Sequence, residues 1–147
     1  MDRGAAVALT ATAGGLIALQ APINSTLGRS VGTFQAAFMS FLVGTIALAV
    51  VATFARGGLA QIGEVRNVAW YYLIGGLLGA VYVSSVLVTV RSLGAGGVTA
   101  ATIAGQLTLA VVVDHFGWLG VERQAITLPR VAGILLLAAG VALVVRR

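Results

Sequence analysis

The chain has 147 residues, 59% of them hydrophobic and only 9% charged, with a formal net charge of +5. Soluble domains carry about 25% charged residues, so this composition belongs to an integral membrane protein. Cysteine is absent, which excludes a disulfide framework and a thiolate metal site, and the arginines stand singly or in pairs at the ends of apolar runs, where they set topology, not in the clusters that bind nucleic acid.

Five apolar segments follow one another, at about Gly4 to Leu27, Val31 to Ala55, Val68 to Val90, Gly96 to Leu119 and Leu128 to Val145. About 20 helical residues cross a hydrocarbon core of about 30 Å, so each can span. The runs are continuously apolar and do not alternate, which excludes a β-barrel and predicts an all-α bundle of five transmembrane helices in one domain, 1–147. The first segment has a short charged start and "ATA" at 11–13, as a signal peptide would. No soluble domain follows for export, so the expectation is an uncleaved first span. Gln20 and Asn24 lie one turn apart on it with Pro22 between them. Proline removes a backbone hydrogen bond and clashes with the carbonyl four residues back, that of Ala18, so a kink and a freed carbonyl are expected.

"GRS" at 28–30 links to the second segment, where Gly32, Ala36, Ser40 and Gly44 recur every four residues and Phe34, Phe38 and Phe41 lie roughly opposite. Small residues at that spacing let helix backbones approach closely, and a packing surface is the expected role. The polar "RGGLAQIGEVRN" reads as a loop, and "WYY" at 70–72, like Trp118, suits the aromatic belt. On the third segment Gly75 and Gly79, with Gly76, Ala80 and Ser84, repeat the small-residue device, while Tyr82, Ser85 and Thr89 form a polar stripe. "RSLGAGG" at 91–97 is a short connection. The fourth segment has a second polar stripe at Thr99, Thr102 and Gln106, then ends in "VVVDHFGWLG" at 111–120. "GVERQAIT" leads to the fifth.

Polar groups inside a membrane avoid lipid, and interrupted helices at depth are where transporters commonly place substrate sites. Gln20, Asn24, Tyr82, Ser85, Thr102 and Gln106 are therefore the candidate lining of one cavity near the middle of the membrane. Amides, hydroxyls and a phenol bring no formal charge and suit a neutral or zwitterionic solute, or a cation held partly by aromatic faces. The plainer role for each residue is to join helices, worth about 0.6 kcal/mol per hydrogen bond in a membrane protein. Asp114 lies about 12 Å along the helix from Gln106, near the edge of the hydrocarbon. A carboxylate there needs a partner. Arg123 and Arg130 lie on its own side, and Arg91 of an inverted second copy would come to the same level, so an ion pair with one of them is expected, as a gate or as an anchor. His115, Phe116 and Trp118 should meet the interface.

"ALQAPINSTLGRSVGTFQAAFMSFLVGT" at 18–45, "GGLLGAVYV" at 75–83 and "AGQLTLAVVVDHFGWLG" at 104–120 resemble the YdcZ-like branch of the drug/metabolite transporter superfamily, over almost the whole chain. The resemblance implies a bacterial inner-membrane exporter, multi-pass, of no stated ligand. Larger relatives, similar to EamA-type proteins, join two five-helix halves of opposite orientation around a central cavity; this chain looks like one half. Gln20, Asn24, Gln106 and Asp114 are the positions onto which the family's polar residues map.

Other classes fare less well. A proton/cation antiporter wants a carboxylate deep in its first helix, and none stands between Arg3 and Arg29. A dual-topology ion channel lined by Phe34, Phe38, Thr33, Ser40 and Thr45 is an alternative, without a carbonyl-filter or charged-ring pattern. A structural subunit without transport of its own is another. One histidine, no cysteine and no acid pair on neighbouring turns argue against an enzyme, and no metal ligand or cofactor site is assigned. With five spans, Arg3, Arg56, Arg66, Arg123 and Arg130 face Arg29, Arg91, Arg146 and Arg147. Positive residues at span ends decide orientation, so this near tie predicts insertion both ways and an antiparallel homodimer, or else a paralogous five-helix partner.

Overall fold

The computed structural model describes residues 2–55 and 58–146; Arg56 and Arg147 of the arginine balance lie outside these. The described residues are all-α, with no strand. Four helical stretches are long and apolar enough to cross a membrane: Arg3–Val31, Thr33–Phe54, Trp70–Phe116 and Leu128–Val145. They comprise helices α1 (Arg3–Val31), α2 (Thr33–Phe54), α3 (Gly75–Phe116) and α4 (Leu128–Val145), with 3-10 helices at Gly58–Asn67, Trp70–Ile74 and Trp118–Gly120. Large apolar side chains are exposed along all four helices, as a lipid solvent requires.

α3 has 42 residues, about 63 Å at the helical rise, roughly twice the thickness of a hydrocarbon core. It is not one uniform helix. Gly94 has φ 70 and ψ 169, a combination open essentially to glycine alone. The third and fourth apolar segments therefore meet at Gly94 inside "RSLGAGG", whose other residues are helical. The chain divides near this point into two compact units, Met1–Arg91 and Ser92–Arg147.

In the first unit, Asp2 caps α1 by accepting from the Ala5 amide at 2.9 Å. Helical backbone runs on through Pro22 and "GRS", and the turn to α2 is made by Gly32 alone, at φ 99 and ψ 150. Serine and arginine continue a helix, whereas only glycine takes that φ without strain. Ala21, Asn24, Ser25 and Gly28 are the buried stripe of α1, at the i, i+3, i+4, i+7 spacing of one face. α2 packs on it. A Cβ on Gly28 would lie 3.5 Å from Thr33 Cα and 3.6 Å from Ala36 Cβ, ordinary van der Waals contact, so the two helices meet at this position without requiring glycine. Ala36, Ala37, Val83 and Leu87 form the core, with Tyr82 against them, and the Phe41 ring covers Gly79, 3.3 Å from where a Cβ would stand. Of the small stripes, Ala36 on α2 and Gly79 on α3 are packed, whereas a Cβ at Gly44, Gly75 or Gly76 would meet nothing within 4 Å.

The segment after α2 is more ordered than a polar loop, being 3-10 helix over Gly58–Asn67. A further 3-10 stretch, Trp70–Ile74, leads into α3. In the second unit, α3 stops at Phe116 because Gly117 adopts the left-handed conformation at φ 65, and its amide returns to the Asp114 carbonyl at 3.2 Å. Chain 121–127 then runs without regular structure to the Thr127 cap of α4, which has proline in its first turn.

Candidate functional site

Asn24 and Gln20 diverge although they share a helix. Asn24 is 5% exposed and its Nδ2 donates to Ser40 Oγ on α2 at 3.0 Å. Gln20 is exposed. At 100° per residue Gln20 lies about a quarter turn from the centre of the stripe that α2 covers. Ser40, which the sequence offers as a small packing residue or, in the channel alternative, as a pore-lining one, is the hydroxyl that receives the amide. Nothing in the spacing of α1 alone could name it, because the partner depends on the register between two helices.

The hydroxyls divide in the same manner. Ser85 Oγ donates to the Val81 carbonyl at 2.8 Å and Thr89 Oγ1 to the Ser85 carbonyl at 2.9 Å. Each is satisfied by its own helix and tolerates lipid without another partner. Tyr82 and Thr102 are half-buried, while Gln106 is exposed. Gln20, Asn24, Tyr82 and Ser85 belong to the first unit, Thr102 and Gln106 to the second. An open, apolar groove of about 530 Å³ lies in the second unit between Leu93 and Ala101 on α3 and Ala138, Val141 and Val145 on α4. None of the six candidate residues lines it.

The polar cluster after α3 is the most connected among the described residues. Arg130 Nη2 donates to Asp114 Oδ2 at 2.9 Å, the one ion pair among the described residues, with both side chains 28% exposed. The same nitrogen reaches Gln124 Oε1 at 2.8 Å, and Nη1 is buried without an acceptor. The contact is therefore single-pronged, short of the paired geometry in which a guanidinium holds a carboxylate most firmly. Around it the Asp114 carbonyl accepts from the Gln124 amide at 2.8 Å, the His115 carbonyl accepts from Arg123 Nε at 3.0 Å, and His115 Nδ1 accepts from the Ile126 amide at 3.4 Å. The connection 117–127 is thus tied to the last turn of α3. Phe116 and Trp118 stack, 4.9 Å between centroids and 15° between planes, and His115 meets Phe116 edge-on at 5.0 Å. No spacing in the sequence marks Gln124, since its contact exists only once the connection has folded back.

Arg91 contacts another part of the first unit. Its guanidinium lies over Gly28, 3.6 Å from where a Cβ would stand. Arg123 engages the His115 carbonyl, so within one chain Arg130 is the residue that takes the Asp114 carboxylate.

The chain carries one histidine and no cysteine, and no group of three or more potential metal ligands occurs among the described residues. Among the described residues the polar contacts are hydrogen bonds of amides and hydroxyls and one ion pair at a helix end.

The sequence model of the family described as "Putative inner membrane exporter, YdcZ" matches residues 5–143. The chain is similar to "Inner membrane protein YdcZ" of Escherichia coli (strain K12), 34% identical over 113 residues that cover 76% of this chain and 74% of that protein. No solved structure matches the chain. The family is one of exporters and not of enzymes. With its apolar helices and lipid-exposed surface, the chain belongs to the YdcZ-like branch of the drug/metabolite transporter superfamily and is a multi-pass inner-membrane protein of the exporter type.

Proposed function

We propose that the chain is a half-transporter that exports a small metabolite or drug-like solute, working as an antiparallel homodimer by alternating access. One observation carries this reading: Gln20 and Gln106, two primary amides in membrane-spanning helices, are exposed on the surface of a single chain. A primary amide facing hydrocarbon without partners costs several kcal/mol on a water-to-alkane scale. Covering both needs protein or water. A second, inverted copy supplies both, because two five-helix halves of opposite orientation enclose a polar cavity at mid-membrane.

In this reading Gln20, Tyr82, Ser85, Thr102 and Gln106 line the cavity, with Asn24 and its Ser40 partner bracing the wall behind Gln20. Pro22 frees the Ala18 carbonyl, since proline has no N–H to offer it, and adds an uncharged acceptor one half-turn from Gln20. The near tie of arginines at the span ends supports insertion in both orientations. The Asp114–Arg130 pair closes one end of the cavity and opens as one bundle rocks against the other. The proposed test is flux through the purified protein in proteoliposomes, screened with neutral, zwitterionic and cationic solutes. Gln20→Ala and Gln106→Ala each lower flux at least tenfold in a dimer that still assembles; unchanged flux in properly assembled protein overturns the assignment.

A further inference from the structure

The segment between α2 and α3 carries a pattern that export does not use. Gly58–Asn67 is a 3-10 helix, with three residues per turn, so residues three apart stand one above another. Its sequence sorts into three rows. Leu59, Ile62 and Val65 make one row, continued by Val68; Gln61, Glu64 and Asn67 make the second; Ala60, Gly63 and Arg66 make the third. Within the polar row, Asn67 Nδ2 donates to Glu64 Oε2 at 2.7 Å. The apolar row is unpartnered, with Leu59 45%, Ile62 62% and Val65 40% exposed. In an α-helix the same residues would drift about 60° per step and wind half-way round the axis. Only the 3-10 form gathers them into a stripe.

Position decides what meets that stripe. The segment packs at the end of α2, where Phe54 is 85% exposed, and the next crossing begins at Trp70. Both neighbours are in the bilayer, so the short connection is held at its surface. Trp70, Tyr71 and Tyr72 follow as an exposed aromatic cluster with ring centroids 6.2 and 4.6 Å apart, the composition of a headgroup-level belt.

We propose that Gly58–Asn67 lies in the plane of the membrane–water interface as a 3-10 anchor, with Leu59, Ile62 and Val65 in the lipid and Gln61, Glu64 and Asn67 in water. The occupant of the apolar row is the acyl region of the bilayer itself, which an amphipathic helix enters by about 5–10 Å. Arg66, on the third row, reaches the headgroups by extending its stem. The anchor and the aromatic cluster together fix the level at which α3 starts. This inference needs only that α2 and α3 cross a membrane and is independent of what the protein transports.

The absence of cysteine makes the test direct. Single cysteines are placed in turn at positions 59 to 65 of the full chain, spin-labelled, and reconstituted in vesicles of phosphatidylethanolamine and phosphatidylglycerol. Collision with oxygen, which concentrates in lipid, is compared with collision with a water-soluble nickel chelate. The expected result is an oxygen-to-nickel ratio several-fold higher for Leu59→Cys, Ile62→Cys and Val65→Cys than for Gln61→Cys and Glu64→Cys, repeating every three residues. Nickel access at every position, a repeat near 3.6, or exclusion of both probes from 59, 62 and 65, as under a second protein surface, would each overturn the proposal. The three apolar positions stand in for one another if one variant misfolds.

Discussion

Replacing Asp114 by asparagine should destabilise the protein by about 2 kcal/mol, between the roughly 0.2–1 kcal/mol of exposed ion pairs and the roughly 3–5 kcal/mol lost when a fully buried pair is broken. The intermediate value follows from the geometry: a single contact at 2.9 Å with 28% of each side chain exposed. Asparagine removes the negative charge, and Arg130 keeps only the Gln124 Oε1 contact at 2.8 Å, with Nη1 still buried and unbonded. The unpaired guanidinium next to hydrocarbon is the larger part of the cost. A double-mutant cycle of Asp114→Asn and Arg130→Gln, measured by unfolding in mixed detergent micelles, should give a coupling of about 1–2 kcal/mol, because with both charges gone neither is left unpaired. The proposed gate adds that Asp114→Asn is leaky or slowed in proteoliposomes although its dimer assembles. A coupling below about 0.3 kcal/mol would refute the energetic reasoning. Lower stability with unchanged flux would leave Asp114 as an anchor of the connection 117–127 and no gate.

Three further outcomes follow from the packing. Asn24→Ala should cost about 0.6 to 1.7 kcal/mol, the range for hydrogen bonds between membrane helices, and its coupling to Ser40→Ala in a cycle should account for most of that; independent effects would mean the 3.0 Å bond contributes nothing. Gly94→Ala forces a Cβ onto a backbone with φ 70 and ψ 169 and should lower stability by about 1–3 kcal/mol, with Gly105→Ala, a helical glycine with nothing within 4 Å of its would-be Cβ, as the neutral control in thermal unfolding. Gly79→Val should overpack the contact with Phe41, whose Cζ is 3.3 Å from the site of a Cβ, at about 1–3 kcal/mol, and Phe41→Leu in the same chain should restore most of it.

Fold class was legible because lipid imposes one rule on every spanning residue, and continuous apolar runs satisfy it only as helices. The joints were less so. "GRS" looks like a turn by polarity, yet the chain turns at Gly32, and "RSLGAGG" has several glycines of which only Gly94 leaves the helix; composition marks the neighbourhood and φ selects the residue. "RGGLAQIGEVRN" hides its period of three from a search tuned to two and 3.6. Asp114 was visible as a carboxylate in need of a cation, but the choice among Arg91, Arg123 and Arg130 rests on how 117–127 folds back through Gln124 and His115. Ser40 escaped for a similar reason: its value as the acceptor of Asn24 is a property of two helices in register. The exposure of Gln20 could not be read from its spacing to Asn24, since which face of α1 is covered depends on how α2 packs against it.

The central claim is that a polar residue facing outward from one chain lies, in the assembled protein, in a water-containing cavity. Alkylation of single cysteines at neighbouring positions tests it: Gln20→Cys against Leu19→Cys, which is 57% exposed on the same helix, in proteoliposomes treated with a small water-soluble maleimide. The account predicts rapid reaction at position 20 and almost none at position 19. Equal and negligible reaction at both, with the protein folded, would place Gln20 in lipid or in a dry interface and contradict it.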